Sequence, residues 1–260
     1  MIKAKKSLGQ NFLEDENIIK KIINTTEIKN ETILEVGPGT GNLTKYILKK
    51  NPKKFFVIEK DNNLTSILEQ KFKNQLKLIN DDILRIDEKK ITKDKLIVFG
   101  NLPYNISTEI LCKWILDLNN DQFWFKSLIL MFQKEVADRI ISKINSSTYG
   151  RLSILANWKL KIEKVFDIKP SCFYPKPKVD SSLLIFRPKK NFFRIKNPKS
   201  LEKITRIFFN QRRKMIKKPY NFIFNGNLDI QERLNLDLSL RPQNLDFETY
   251  YNLAKEYENL

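Results

Sequence analysis

Leu34-Glu-Val-Gly-Pro-Gly-Thr-Gly41 is an apolar run that opens into three glycines and a proline within five residues. The segment from Thr32 to Val36 has the apolar, β-branched character of a strand, and Asn42 to Lys50 follows with helical spacing. Glycines let the backbone turn tightly and let a ligand approach with no Cβ in the way, while Pro38 fixes the turn. The spacing is G-x-G-x-G, which differs from the G-x-G-x-x-G of dinucleotide binders.

Outward from this stretch the same alternation repeats. Lys54 to Ile58 reads as a strand and Asn63 to Phe72 as a helix. Leu76–Ile79 and Leu96–Phe99 read as strands, Ser107 to Leu118 as a helix, and Ser127–Phe132 and Ser182–Phe186 as two more strands. Near the start, Ile18, Ile19, Ile22 and Ile23 mark one face of a helix. Repeated strand–helix alternation predicts a doubly wound, Rossmann-like α/β sheet, and its buried strands should be continuous apolar runs, as these are. Beyond Pro188 the pattern changes to Lys/Arg-rich helical segments: Leu201 to Asn210, Arg212 to Lys218, Ile230 to Leu234 and Phe247 to Glu258. Two domains are expected, residues 1–187 as the α/β domain and 188–260 as a small all-α module.

Composition narrows the chemistry. The 260 residues carry 48 Lys+Arg against 30 Asp+Glu, a net charge of +18, which predicts a polyanionic partner such as nucleic acid. Histidine is absent, which excludes Ser-His-Asp and Cys-His nucleophiles, imidazole bases and His metal ligands. Two cysteines, Cys112 and Cys172, are too few for a disulfide framework or a four-thiolate metal site. The start, Met1-Ile-Lys-Ala-Lys-Lys6, is basic without a following apolar region, and no stretch approaches the length of a membrane span, so a cytoplasmic location is expected.

The ends of the predicted strands carry the candidate site. Glu59 ends the second strand 22 residues after Gly37, where a carboxylate typically holds ribose hydroxyls. Asp82, just past the third strand, lies where an acceptor could meet an adenine amino group. After the strand Leu96–Phe99 comes Asn101-Leu-Pro-Tyr104, a turn that Pro103 keeps out of both helix and ladder. It offers a side-chain amide, backbone carbonyls and an aromatic face, which is what a flat base with an exocyclic amine requires.

This order of features resembles the S-adenosylmethionine-dependent methyltransferases that act on an adenine amine. Further blocks extend the likeness over nearly the whole chain: Lys6-Ser-Leu-Gly-Gln-Asn-Phe-Leu13, Phe99-Gly-Asn-Leu-Pro-Tyr-Asn-Ile-Ser-Thr108, Gln133-Lys-Glu-Val-Ala-Asp-Arg139, Tyr149-Gly-Arg-Leu-Ser153, Phe173-Tyr-Pro-Lys-Pro-Lys-Val-Asp-Ser181, Phe209-Asn-Gln-Arg-Arg-Lys214 and Leu240-Arg-Pro-Gln-Asn-Leu245. They are similar to those of the bacterial small-subunit (16S) ribosomal RNA adenine dimethyltransferases. The resemblance implies dimethylation of two adjacent adenosines in a hairpin near the 3′ end of that RNA, within an immature 30S subunit, by a monomer using S-adenosylmethionine and no metal. It implies Asn11 and Leu13 beside the donor's methionine, Gly37 and Gly39 beneath it, Glu59 on its ribose and Asp82 on its adenine. Asn101 and the Leu102 carbonyl would meet the target amine, with Tyr104 and Phe173 sandwiching its base. Gly41 varies among relatives and is not treated as essential.

Two other functions are open to the same residues: a large-subunit (23S) rRNA methyltransferase of the antibiotic-resistance type, and a non-catalytic RNA-binding assembly factor. In the helical module, Arg212, Arg213, Lys214, Lys217 and Lys218 are expected within two helical turns as phosphate contacts, with Ile207, Phe208 and Ile216 turned toward the sheet domain.

Overall fold

The computed structural model describes residues 4–5, 8–118 and 122–260. Lys6 and Ser7 of the first quoted block, and Met1 to Lys3 of the basic start, lie outside the described residues. In chain order the elements are β1 (Phe12–Leu13), α1 (Glu16–Ile23), β2 (Thr32–Val36), α2 (Asn42–Leu48), β3 (Lys54–Glu59), α3 (Asn62–Phe72), β4 (Lys77–Asn80), β5 (Leu96–Gly100), α4 (Ser107–Leu116) and β6 (Phe125–Gln133). Then follow α5 (Lys134–Ile140), α6 (Arg151–Lys159), β7 (Leu160–Ile168), β8 (Phe173–Tyr174), β9 (Ser181–Pro188), α7 (Pro198–Phe209), α8 (Lys217–Phe224), α9 (Leu228–Arg233) and α10 (Phe247–Tyr257).

Packing divides the chain into two compact units. The first comprises residues 1–113, 119–137 and 162–188, and the second residues 114–118, 138–161 and 189–260. The chain thus crosses between units more than once, and α6, which precedes residue 188, packs against α7 and α10 of the second unit.

The first unit is built on a seven-stranded sheet of order β4-β3-β2-β5-β6-β9-β7. β2, β3, β4, β5 and β6 are parallel where they pair, and β9 runs antiparallel to β6. β2 and β5 are buried at every position, which is why they read as unbroken apolar runs. β7 was not expected as a strand. Apolar and charged residues are mixed along it, Leu160-Lys-Ile-Glu-Lys-Val-Phe-Asp-Ile168, and it sits at the end of the sheet order with exposed positions between its buried ends. An edge strand is covered on fewer sides and needs no apolar run, so its sequence carries no run of the kind that marks β2 and β5. A two-stranded ladder also went unread: β1 pairs antiparallel with β8, setting Phe12 opposite Tyr174 and Leu13 opposite Phe173.

The second unit is helical, with no strand among its described residues beyond Lys161. Two of the quoted blocks are its fasteners. The Tyr149 hydroxyl donates to the Leu245 carbonyl at 2.9 Å, and the Tyr250 hydroxyl to the Pro242 carbonyl at 2.7 Å. Tyr149 also meets the rings of Phe209 and Phe247. Trp114, Trp124 and Trp158 are buried, and the Trp158 indole donates to the Phe193 carbonyl at 2.8 Å. The expected helix over Arg212 to Lys218 does not form. α7 ends at Phe209 and α8 begins only at Lys217, with Ile216 buried between them. Phe208 is buried edge-to-face on Tyr250 in its own unit.

Candidate active site

The register of the parallel strands brings their ends level. Val36 lies opposite Ile58 on one side and Gly100 on the other, and Ile58 lies opposite Ile79. The next residues along each chain path, Gly37, Glu59, Asn80 and Asn101, therefore share one rim. The chain winds from β2 toward β4 in one direction and from β5 in the other, so β2 and β5 flank the switch point where open α/β sheets form their crevice. A cavity of about 200 Å³ lies there. Its lining brings together Asn11, Leu13, Gly37, Gly39, Glu59, Asp82, Asn101, Leu102 and Tyr104.

The glycine turn does two separate things. Gly37 has φ of +66°, and a Cβ added there would meet only the Asn101 carbonyl oxygen at 3.7 Å, an ordinary contact. Gly39 has φ of +59°, and its Cβ would strike the Phe12 ring at 2.6 Å, so this glycine admits β1 to the rim. Gly41, set aside in the sequence reading, is also constrained. With φ of +82° and the Phe72 ring 2.5 Å from a Cβ there, a side chain would be strained.

Glu59 is buried, with each carboxylate oxygen already accepting one backbone N–H: Gly39 at 3.3 Å and Asp61 at 2.9 Å. Each oxygen retains a lone pair for a further donor. Burial raises its pKa above the ordinary carboxylate value. Glu35, on β2, also borders the cavity and was not singled out from sequence. It is buried, the Thr44 hydroxyl donates to it at 2.7 Å, and its pKa is raised to about 8, chiefly by burial and further by the charge of Glu59. Asp82 accepts from the Lys60 ammonium at 2.7 Å and the Leu84 N–H at 3.0 Å, and the Lys60 contact holds its pKa below the usual carboxylate value. Ile83 and Leu84 add apolar lining beside it.

Asn101 is oriented by one bond. Its side-chain nitrogen donates to the Asn11 carbonyl at 2.7 Å, so its side-chain oxygen is left as an acceptor at the cavity. Tyr104 is held by its hydroxyl, 2.6 Å from that of Ser181 at the start of β9, so the ring is fixed at the rim. Phe173 does not join it. Only 2% exposed, Phe173 belongs to the core cluster with Leu13, Ile19 and Ile168 and is absent from the cavity lining. The expected sandwich of Tyr104 and Phe173 is not assembled. In the Pro-rich segment the exposed aromatic is Tyr174.

The N-terminal segment is tied to the rim by residues that sequence reasoning missed. Asp61, 4% exposed, accepts from the Lys5 ammonium at 2.7 Å and the Gln10 amide at 3.0 Å. The Asn42 amide donates to the Leu13 carbonyl at 2.8 Å. Residues 8–13, between these ties, line the cavity. The available signals were positional: Asp61 stands two residues after Glu59, and Asn42 directly after the glycine turn.

In the second unit the expected cations divide. Arg213, Lys214, Lys217 and Lys218 are exposed. Arg212 is partly buried and donates to the Ser146 carbonyl at 3.2 Å and the Gln243 side-chain oxygen at 3.2 Å.

Residues 1–259 match the family described as ribosomal RNA adenine dimethylase. The chain belongs to that family. It is 61% identical over 259 residues to a ribosomal RNA small subunit methyltransferase A of Pelagibacter ubique (strain HTCC1062), covering 100% of this chain and 98% of that one. It is 43% identical to the protein of the same name from Ehrlichia ruminantium (strain Gardel), covering 98% and 97%. Among solved structures, a dimethyladenosine transferase from Plasmodium falciparum superposes with a TM-score of 0.81 at 29% identity, covering 95% of this chain and 98% of that one. As a member of this family the chain is a methyltransferase, with a Rossmann-like α/β fold and a set of C-terminal helices. Among its described residues no group of three or more His, Cys, Asp or Glu side chains could hold a metal, and no helix is long and apolar enough to cross a membrane.

Proposed function

We propose that the chain transfers methyl groups from S-adenosylmethionine to the exocyclic amines of two adjacent adenosines in a hairpin near the 3′ end of small-subunit rRNA, acting on an immature 30S subunit. The observation that carries this reading is the Asn101–Asn11 bond, which leaves a side-chain acceptor oxygen at the carboxyl end of β5, beside the glycine turn. The names of the relatives favour the small subunit over the large-subunit alternative.

The cavity suits the donor. Glu59 keeps one lone pair on each oxygen for a ribose diol, Gly37 leaves the space above its Cα open, and Ile83 and Leu84 offer apolar walls to an adenine whose amine Asp82 would accept. When bound, the donor supplies a methyl group already activated on a sulfonium. The chain's own work lies on the acceptor side. An adenine amine is a poor nucleophile because its lone pair is delocalised into the ring. The Asn101 oxygen and the Leu102 carbonyl, accepting hydrogen bonds from the amine (two N–H groups in the first transfer, one in the second), favour a pyramidal nitrogen and free the lone pair as the transition state forms. The nitrogen that has taken the methyl is strongly acidic and releases one proton to water. Tyr104, pinned by Ser181, offers the face on which a base turned out of its helix rests. Phe173 acts indirectly, holding Leu13 and with it the N-terminal segment. Residues 1–187 carry donor binding and transfer, and residues 188–260 dock on rRNA through Arg213, Lys214, Lys217 and Lys218. The protein works as a cytoplasmic monomer.

Labelled S-adenosylmethionine offered with immature small subunits and, separately, with large subunits tests the reading. Dimethyladenosine is expected in the small subunit alone. Label in the large subunit, or in neither, would overturn it.

A further inference from the structure

The second unit exposes one aromatic side chain that nothing above explains. Phe222, in the middle of α8, is 74% exposed, the most exposed of the large apolar side chains described. Its helix is otherwise well anchored. Tyr220 and Phe224 are buried with their rings 5.0 Å apart, and the Tyr220 hydroxyl donates to the Asn227 carbonyl at 2.6 Å. Phe222 is therefore held outward on a fixed element. One helical turn before it, on the same side, stands the exposed Lys218. From Lys203 to Leu228 the chain holds seven Lys or Arg residues and no Asp or Glu.

We infer that Phe222 is a stacking platform for an unpaired nucleobase of the RNA substrate, with Lys218 at the adjoining phosphate. This rests on the reading that the unit docks on rRNA, and adds to it a contact that charge alone does not make. The surroundings select the occupant. A second copy of the chain would bring its own uncompensated cations against these, a like-charge juxtaposition that costs affinity. A lipid surface takes an apolar stripe along a helix, whereas α8 turns Tyr220 and Phe224 inward and exposes Phe222 as its one large apolar side chain; Met215 and Leu228, also exposed, stand outside that helix. Paired RNA offers phosphates and 2′-hydroxyls but no free ring face, and an unpaired nucleotide offers both ring and phosphate.

The test measures affinity for immature small subunits across a range of salt, with anionic vesicles as a parallel probe. Phe222→Ala should weaken subunit binding about 5- to 150-fold at every salt concentration without changing the salt slope, because stacking releases no counterions. Phe222→Trp should bind as the wild type does, and its added indole emission should be quenched by the stacked base. Arg213→Ala/Lys214→Ala, by contrast, should flatten the slope. A flattened slope in that pair with wild-type affinity in Phe222→Ala overturns the stacking inference and leaves RNA docking standing. No effect from either set overturns both. A loss confined to vesicle binding overturns the inference in favour of a lipid contact. Phe222 is 74% exposed, so unchanged thermal unfolding of each variant is expected and checks that folding is intact.

Discussion

The rim of the first unit and the basic turn of the second each gather functional side chains, but they hold them differently. At the rim, the side chains of Asn101, Glu59, Asp61 and Tyr104 are each held by at least one hydrogen bond, and Glu59 and Asp61 are buried. In the turn from Asn210 to Ile216, Arg212 alone of the three consecutive cations has a bonded head group, while Arg213 and Lys214 are exposed. Groups of the first kind act through geometry, so losing one should alter a single step sharply. Groups of the second kind act through charge, so each should contribute a small, salt-dependent increment.

The largest effect belongs to Asn101. Asn101→Ala removes an acceptor that matters most in the transition state, comparable to the loss of a preorganised donor in an oxyanion hole, worth about 10²- to 10³-fold in turnover. Single-turnover rates should fall by that order while affinity for the subunit holds. A near-normal rate in a folded variant would remove Asn101 from the chemistry. Next comes Glu59→Ala, which deletes charge-assisted bonds worth roughly 1.5–3 kcal/mol each. Calorimetry should show weaker S-adenosylmethionine binding, and unchanged affinity would sink the ribose assignment.

A pH test follows for the neighbouring carboxyl. The folded pKa of Glu35 is raised to about 8, above its ordinary 4.5. Between those values the unfolded chain releases this proton and the folded chain keeps it. Glu35 should therefore cost stability progressively as pH rises from about 4.5 to 8. Glu35→Gln preserves an acceptor for Thr44 and removes the titration, so its melting temperature should gain on the wild type over that window. Parallel curves would mean that Glu35 titrates normally. Smaller still is Asp61→Asn. It keeps an oxygen for the Asn63 N–H at 3.1 Å and weakens the tie to Lys5, whose side chain is 44% exposed and whose ion pair is screened. Donor affinity should fall several-fold with single-turnover rate at saturating donor nearly intact. A fall in rate without a fall in affinity would contradict a positioning role.

How much of this was legible in the sequence follows the same division. Buried parallel strands announce themselves because both faces must be apolar, so β2, β3, β5 and β6 could be read directly, and with the first three of them the rim residues Gly37, Glu59 and Asn101 at their carboxyl ends. What stayed hidden depends on long-range pairing. The β1–β8 ladder is two residues long, too short to carry a periodicity, and only its formation buries Phe173 against Leu13. An aromatic in a Pro-rich stretch looks available in one dimension whether or not it packs. The break between α7 and α8 was hidden for a related reason. Arg212 to Lys218 has residues that all accept helix, and it is tertiary pairing that shapes the turn, with Ile216 N–H donating to the Leu240 carbonyl at 2.8 Å and Lys217 N–H to the Leu238 carbonyl at 3.2 Å.

Adjacent arginines give the smallest effect and the sharpest comparison. Arg212 and Arg213 are one residue apart and identical in charge, so a reading based on charge alone predicts identical variants. The structure separates them. Arg212 spans from the turn to the Ser146 carbonyl and the Gln243 side chain, whose own backbone carbonyl accepts from Asn145 N–H at 3.0 Å. Removing it leaves a partly buried carbonyl and amide without their donor, a loss of about 1–3 kcal/mol that should appear as a lower melting temperature. Arg213 is exposed, so Arg213→Ala should leave unfolding unchanged. Its effect should appear only against RNA, as a salt slope shallower by somewhat less than one. Arg212→Lys sharpens the contrast further, since it keeps the charge but not the forked geometry that reaches both acceptors. That variant should resemble Arg212→Ala in melting and the wild type in salt slope. If instead Arg212 and Arg213 prove interchangeable in both measurements, the turn is a plain cluster of cations and the distinction between its geometric and its electrostatic residues fails.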